Sequence, residues 1–372
     1  MRFLIITHTP HSIRKGKIYA YQPYIREMNI WLKYAGEVEI VAPTIKIPLS
    51  KVEDSYKHNK IRFTAIPEIN LKSFINILKA LLLAPYILFK ISKSCRKADH
   101  IHLRCPGNIG LLGCIVQLFF PKKIKIAKYA GNWDPDSKQP FSYRIQKAIL
   151  SNSFLTKNID VLVYGHWPNQ TQNIKSFFTA SYRTNERRLY GKKNYMDILN
   201  FVFIGTLAPG KRPLMALEII KHLRDIGYKA NLDYYGDGIL KDKIKSYIEK
   251  YKLHNFVSLH GNTKSEEIKL VLKKAHFLVL PSKSEGWPKA VAEAMFFGVI
   301  PIVTAVSCLP YMLNYGERGV LISPNINDAV SVLDTLLKDE KELNQKSAKA
   351  LEWSQEYTLD YFEDEIRKLM NR

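Results

Sequence analysis

The sequence predicts an α/β chain built as two Rossmann-like, doubly wound domains, and three observations predict it. Short apolar runs alternate with amphipathic stretches along the chain, the pattern of parallel strands joined by crossover helices. At 372 residues the chain exceeds one ordinary domain and suits two. Apolar residues make up 46% of it, enough for two separate cores.

In order, RFLIIT reads as the first strand, YIREMNIWLKYA as its helix and VEIVAP as the next strand; HIHLR, KIKIAKYAG and DVLVYG continue the series. NFVFIG opens a second series, followed by helix PLMALEIIKHLRDIG, strand ANLDYYG, helix KDKIKSYIEKYKL and strand FVSLHG. The polar, basic run RTNERRLYGKKNYMD, residues 183–197, separates the two. The domains are therefore read as 1–190 and 191–354. The closing segment, with a helix over 355–372, is amphipathic and carries Trp353, Tyr357, Tyr361 and Phe362.

The net charge of +22 is unevenly placed. Residues 1–190 hold 30 Lys and Arg against 11 Asp and Glu, whereas 191–372 hold 26 against 23. A basic first half implies an anionic partner: nucleic acid, a membrane surface or a phosphorylated substrate. No nucleic-acid-binding motif accompanies the charge, so nucleic acid is not the expected partner. Cys95, Cys105, Cys114 and Cys308 form no CxxC pair, which suits unpaired thiols in a reducing compartment and no structural zinc. The apolar run in MRFLIITHTP is too short for a signal peptide.

The most hydrophobic long stretch is LKSFINILKALLLAPYILFKISK, residues 71–93. Lys72, Lys79, Lys90 and Lys93 interrupt it and Pro85 stands inside it, which argues against a span of about 20 apolar residues. Two readings stay open: a buried core helix, or an interfacial helix whose lysines reach anionic headgroups.

The most informative segment is PSKSEGWPKAVAEAMFFGVIPIV, residues 281–303. HFLVLPS closes a strand, SEGWP is a loop, KAVAEAMFF has helical composition, and Gly298 ends that helix before the strand VIPIV. Glu285 and Glu293 thus lie at a strand-to-helix junction, the carboxyl edge where open α/β sheets bind ligands. Backbone N–H groups around Gly286, Trp287 and Lys289 open the helix toward an anion or a sugar hydroxyl, while Pro288 supplies none. In FVFIGTLAPGKRP, residues 201–213, a strand ends at Gly205 and Lys211-Arg212 arrive before a helix. Two cations beside a helix start suit a diphosphate leaving group. The turns YYGDG and HGNTK, with Gly236 and Asn262, allow a planar base to approach closely.

This set of motifs resembles the retaining glycosyltransferases of family 4, which have the GT-B fold. The resemblance is carried by Ser284 before the first glutamate, Gly286-Trp287 after it, Glu293-Ala294-Met295, and Gly298 with Pro301. It implies two domains facing a cleft, with the C-terminal helix returning to the first. It further implies a nucleotide sugar as co-substrate with no cofactor or metal, a uridine diphosphate sugar being expected before a guanosine one, although the turns themselves leave the base open. Glu293 would hold the ribose hydroxyls, Glu285 the donor sugar, and Lys211 with Arg212 the diphosphate. The chain keeps the family's Gly205, Leu207 and Lys211 but has Thr206 where arginine is usual and Arg212 where glycine is usual.

In the first half, the family's glycine-rich phosphate loop corresponds to THTPHSIRKGK, with Gly16 and candidate contact His8. A family histidine that touches the donor sugar is replaced by Gly131-Asn132-Trp133-Asp134; here Asn132 and Asp134 would supply hydrogen bonds and Trp133 a stacking face. Arg104 in HLRCPGN is the candidate contact for an acceptor phosphate. The acceptor expected is a lipid-diphosphate-linked glycan of surface polysaccharide synthesis, met at the cytoplasmic face of an anionic plasma membrane. The rival readings are a nucleotide-sugar epimerase on the same scaffold and a non-catalytic binder of anionic ligands.

Overall fold

The computed structural model describes residues 1–45, 53–71 and 73–371; Lys72 lies outside the described residues. The chain forms two compact units, the first being Met1–Phe177 with the chain from Glu363 onward, the second Phe178–Phe362. The basic run 183–197 lies within the second.

The first unit is built on seven parallel strands: β1 (Arg2–Ile6), β2 (Glu37–Pro43), β3 (Ile61–Ile66), β4 (His100–Cys105), β5 (Ile124–Tyr129), β6 (Ile159–Tyr164) and β7 (Ile174–Phe177). Their spatial order is β7-β6-β5-β4-β1-β2-β3. Order reverses between β1 and β4, which makes the gap between them a switch point. Phe3, Leu4, Ile5 and Ile6 of β1 are fully buried, as expected where helices cover both faces of a parallel sheet. Helices α1 (Gln22–Leu32), α2 (Phe74–Lys97), α3 (Asn108–Val116) and α4 (Phe141–Ser151) connect these strands. α2 places Ile87, Ile91 and Cys95 in the core, so the core-helix reading of the apolar stretch holds for its inner face.

The second unit repeats the plan with six parallel strands: β8 (Leu199–Ile204), β9 (Ala230–Tyr235), β10 (Val257–Gly261), β11 (Phe277–Leu280), β12 (Ile300–Thr304) and β13 (Val320–Ile322). Their order, β10-β9-β8-β11-β12-β13, again reverses beside the first strand of the series. Helices α5 (Pro213–Asp225), α6 (Lys241–Lys250), α7 (Ser265–Leu272) and α8 (Lys289–Phe296) follow the successive strands, and α9 (Leu309–Met312), α10 (Ile326–Leu337) and α11 (Glu340–Glu356) complete the unit. The final helix, α12 (Leu359–Met370), starts after a break at Tyr357-Thr358. Phe362, Ile366 and Met370 recur every four residues along it and are buried. Within the first unit, Glu363 accepts hydrogen bonds from Lys33 Nζ at 2.7 Å and Tyr34 Oη at 3.3 Å.

Candidate functional site

The switch point of the second unit lies between β8 and β11, so the loops that leave these two strands meet at one sheet edge. Lys283 N donates to Gly210 O at 2.8 Å and ties the loops together. Lys211 Nζ then bonds both Glu285 oxygens, at 2.6 and 2.7 Å. The carboxylate is almost buried, while the lysine side chain remains 31% exposed. The pair therefore presents its cationic side to solvent.

Neighbouring groups fix the glutamate loop from behind. Glu285 N donates to Ser307 Oγ at 3.0 Å, Thr304 Oγ1 donates to Ser282 O, and Cys308 Sγ donates to Gly286 O at 3.0 Å. Burial, with the Glu285 charge adding to it, pushes the Cys308 thiol pKa up, so the sulfur stays a donor. Ser307 was not singled out in the sequence, and Cys308 only as an unpaired thiol; both follow β12, the strand next to β11. Arg212 sits at the start of α5 with φ +50° and ψ +50°, and its Nη1 reaches Pro281 O at 3.4 Å. This left-handed backbone is the physical reason glycine suits the position, since a side chain there costs about 1 kcal/mol.

Close backbone approach builds the next part of the edge. Gly205 N donates to Tyr235 O at 2.9 Å, Gly236 N to Gly261 O at 2.8 Å and Leu207 N to Asp237 O at 3.0 Å. Gly236 has φ +145°, and a Cβ on it would lie 1.9 Å from Gly205 O. The end of β9 can therefore approach the end of β8 this closely only with glycine at 236. Asn262, one residue beyond β10, is exposed at the same edge.

Glu293 lies in the second turn of α8 and is half-buried. Ser181 Oγ donates to its Oε1 at 2.5 Å. Burial raises the Glu293 pKa, against the lowering effects of Ser181 and of the Lys289 charge. Ser181 stands 112 residues from its partner and carries no sequence signal. Pro288 is the cap residue of α8, and Gly286 and Lys289 are half-buried beside it. The Trp287 indole is turned into a cluster with Trp353 and Tyr357, ring centres 6.3 and 5.9 Å away. What Trp287 offers the helix start is its backbone.

The first-unit candidates divide differently. Gly16, with φ +74°, follows Lys15 at φ +48°, and Arg14 pairs with Lys17 across them. This is a two-residue hairpin turn, which explains the glycine; the expected phosphate loop is a hairpin instead. Trp133 is buried, donates from Nε1 to Gln170 Oε1 at 3.0 Å and packs edge-on against Tyr129. Only 2% of it is exposed and Lys147 Nζ lies over the ring at 5.3 Å, so the expected sugar stacking is corrected to a packing role. Asn132 Oδ1 accepts from Asp134 N, and Asp134 Oδ1 from Asp136 N, both at 2.9 Å. These are local turn bonds, and they engage one oxygen of the Asp-x-Asp spacing that Asp134 and Asp136 form. Arg104 is paired with Glu27 at 2.5 Å, and Lys128 shares the same carboxylate oxygen at 3.1 Å. The cluster keeps an excess positive charge, with Arg104, the candidate contact for an acceptor phosphate, already engaged by Glu27. His8 is exposed at the end of β1, against Gly107, where an added Cβ would meet its Nδ1 at 2.6 Å. Among the described residues no three His, Cys, Asp or Glu side chains gather as a metal set.

Residues 191–353 match the family model described as glycosyl transferases group 1. That segment is a group 1 glycosyl transferase domain. The matched segment contains Lys211, Arg212, Glu285 and Glu293, the residues assembled at the second unit's sheet edge. Over 364 residues the chain is 25% identical to an uncharacterised glycosyltransferase of Methanocaldococcus jannaschii, covering 92% of this chain and 96% of the other. A candidate colanic acid biosynthesis glycosyltransferase of Salmonella typhimurium is 27% identical over 36% of this chain and 34% of its own length. Among solved structures, Anabaena HepE in complex with UDP superposes with a TM-score of 0.68 at 13% identity, covering 100% of both chains. That likeness shows the fold, GT-B. In this glycosyltransferase the Lys211–Glu285 pair and the Gly205–Gly236 approach thus lie on the domain that defines the family.

Proposed function

We propose that the protein transfers a sugar from a uridine diphosphate sugar to a growing glycan in polysaccharide synthesis, with retention at the anomeric carbon and without a metal ion. The observation that carries the reading is the Lys211–Glu285 pair at the switch point: a nearly buried carboxylate whose lysine faces outward. In this reading Lys211 and Arg212 neutralise the diphosphate as the glycosidic bond breaks. Glu285 holds donor-sugar hydroxyls and stabilises positive charge at the anomeric carbon. Glu293 accepts the two ribose hydroxyls, displacing Ser181. The UDP complex of HepE supports the uridine assignment, and the colanic acid relative supports a glycan acceptor. The basic first half suits an acceptor carried on a lipid diphosphate.

The test is a thermal-shift panel of nucleotide sugars, because the tightest donor raises the melting temperature most. The best donor is then incubated with a lipid-diphosphate glycan and the anomeric configuration of the product is read by NMR. An inverted product removes the retaining mechanism. Conversion of the donor to an epimer without acceptor favours the isomerase reading instead.

A further inference from the structure

Helix α2 has two apolar faces. Ile87, Ile91 and Cys95 are buried in the core. Opposite them Phe74, Leu78, Leu81, Leu82 and Phe89 form a second stripe at helical spacing. Leu82 is 81% exposed, Phe74 74% and Phe89 63%. A surface helix normally turns polar residues outward, and a contiguous apolar face of this kind marks an interaction surface. The helix is long and apolar enough to cross a bilayer, yet its inner face is committed to the core. It can therefore lie along a membrane surface but not through it.

A second feature borders the stripe. Lys90, Lys93 and Lys97 of α2, with Arg62 of β3, line a small cleft of about 60 Å³. Its carboxylate, Glu39, accepts from Thr64 Oγ1 at 2.9 Å and Ser94 Oγ at 2.7 Å. Four cations thus face one carboxylate that is already hydrogen-bonded. A second copy of this chain would match the apolar stripe but bring its own cations to the contact; an anionic bilayer matches both features. We propose that α2 seats the protein on an anionic lipid surface of the kind a cytoplasmic leaflet presents, with the stripe in the acyl boundary and the Arg62–Lys97 cleft over phosphate headgroups. The inference is independent of the donor proposed above.

The experiment is co-sedimentation of the full chain with phosphatidylcholine vesicles, with and without phosphatidylglycerol, at low and high salt. The wild type pellets with the anionic vesicles only, and less at high salt. Arg62→Gln/Lys93→Gln/Lys97→Gln lowers partitioning on the order of a hundredfold, from about fivefold per cation. Leu82→Gln/Phe89→Gln abolishes pelleting. All these positions face solvent, and circular dichroism confirms that the variants fold. Equal pelleting with neutral vesicles, pelleting with neither, or unchanged pelleting of both variants overturns the proposal. So does a wild-type dimer in analytical ultracentrifugation that Leu82→Gln/Phe89→Gln dissolves. No donor or acceptor enters the assay, so its failure leaves the transferase reading standing.

Discussion

Lys211 Nζ sits 2.6 and 2.7 Å from the two oxygens of Glu285, a residue 74 positions further along the chain. Each member of the pair holds the other in place before any donor arrives. Glu285→Ala and Lys211→Ala each lower turnover by about 100-fold or more in a folded protein, as loss of one electrostatic partner does. The double variant loses little more than either single one, because paired residues act as a unit. Single-variant rates within a few-fold of wild type take the pair out of the mechanism, and fully additive losses show that its members act separately.

Gly236→Ala tests the backbone approach at the end of β9. An added Cβ lies 1.9 Å from Gly205 O at a φ of +145°, so overpacking and backbone strain combine to about 3 kcal/mol or more. Gly210→Ala is the control, with nothing within 4 Å of its Cβ, and shifts stability by at most about 0.5 kcal/mol. Chemical denaturation measures both. Equal stabilities show that the strand ends separate without cost.

Turnover survives EDTA. Lys211, Arg212 and the start of α8 supply the positive potential that a diphosphate needs. The check is the initial rate with chelator against the rate with added Mg²⁺ or Mn²⁺. Abolition by EDTA and rescue by either ion assign the phosphate charge to a metal.

The sheets were legible because strands buried on both faces read as unbroken apolar runs, as RFLIIT and NFVFIG do. Glu285 and Glu293 were legible because strand end, loop and helix are contiguous in sequence. Side-chain direction was not. Trp133 has the composition of a sugar platform, but its partner Gln170 lies 37 residues away. Gly16 sits where a phosphate loop belongs, yet the hairpin that uses it also pairs with Glu53–Ser55, a long-range contact that local spacing does not encode. The outer face of α2 was ambiguous for a related reason: an apolar run states that a helix is hydrophobic all round and leaves open which side has a neighbour.

Glu293 carries the last prediction. Burial raises its folded pKa above the ordinary carboxylate value, so between the two values the native state binds more protons than the unfolded one. Stability then falls as pH rises through that window. Glu293→Gln removes the titration, and Ser181 still finds an amide oxygen to donate to. At pH below the ordinary carboxylate pKa the variant and wild type melt together; as pH rises through the raised pKa the variant becomes the more stable. The donor Michaelis constant rises in the same variant with turnover little changed, since a ribose contact serves ground and transition states alike. Melting temperatures across an acid-to-neutral pH series, beside donor kinetics at neutral pH, read both effects. A melting difference that does not vary with pH removes the buried-charge argument, and an unchanged Michaelis constant leaves Glu293 a structural residue.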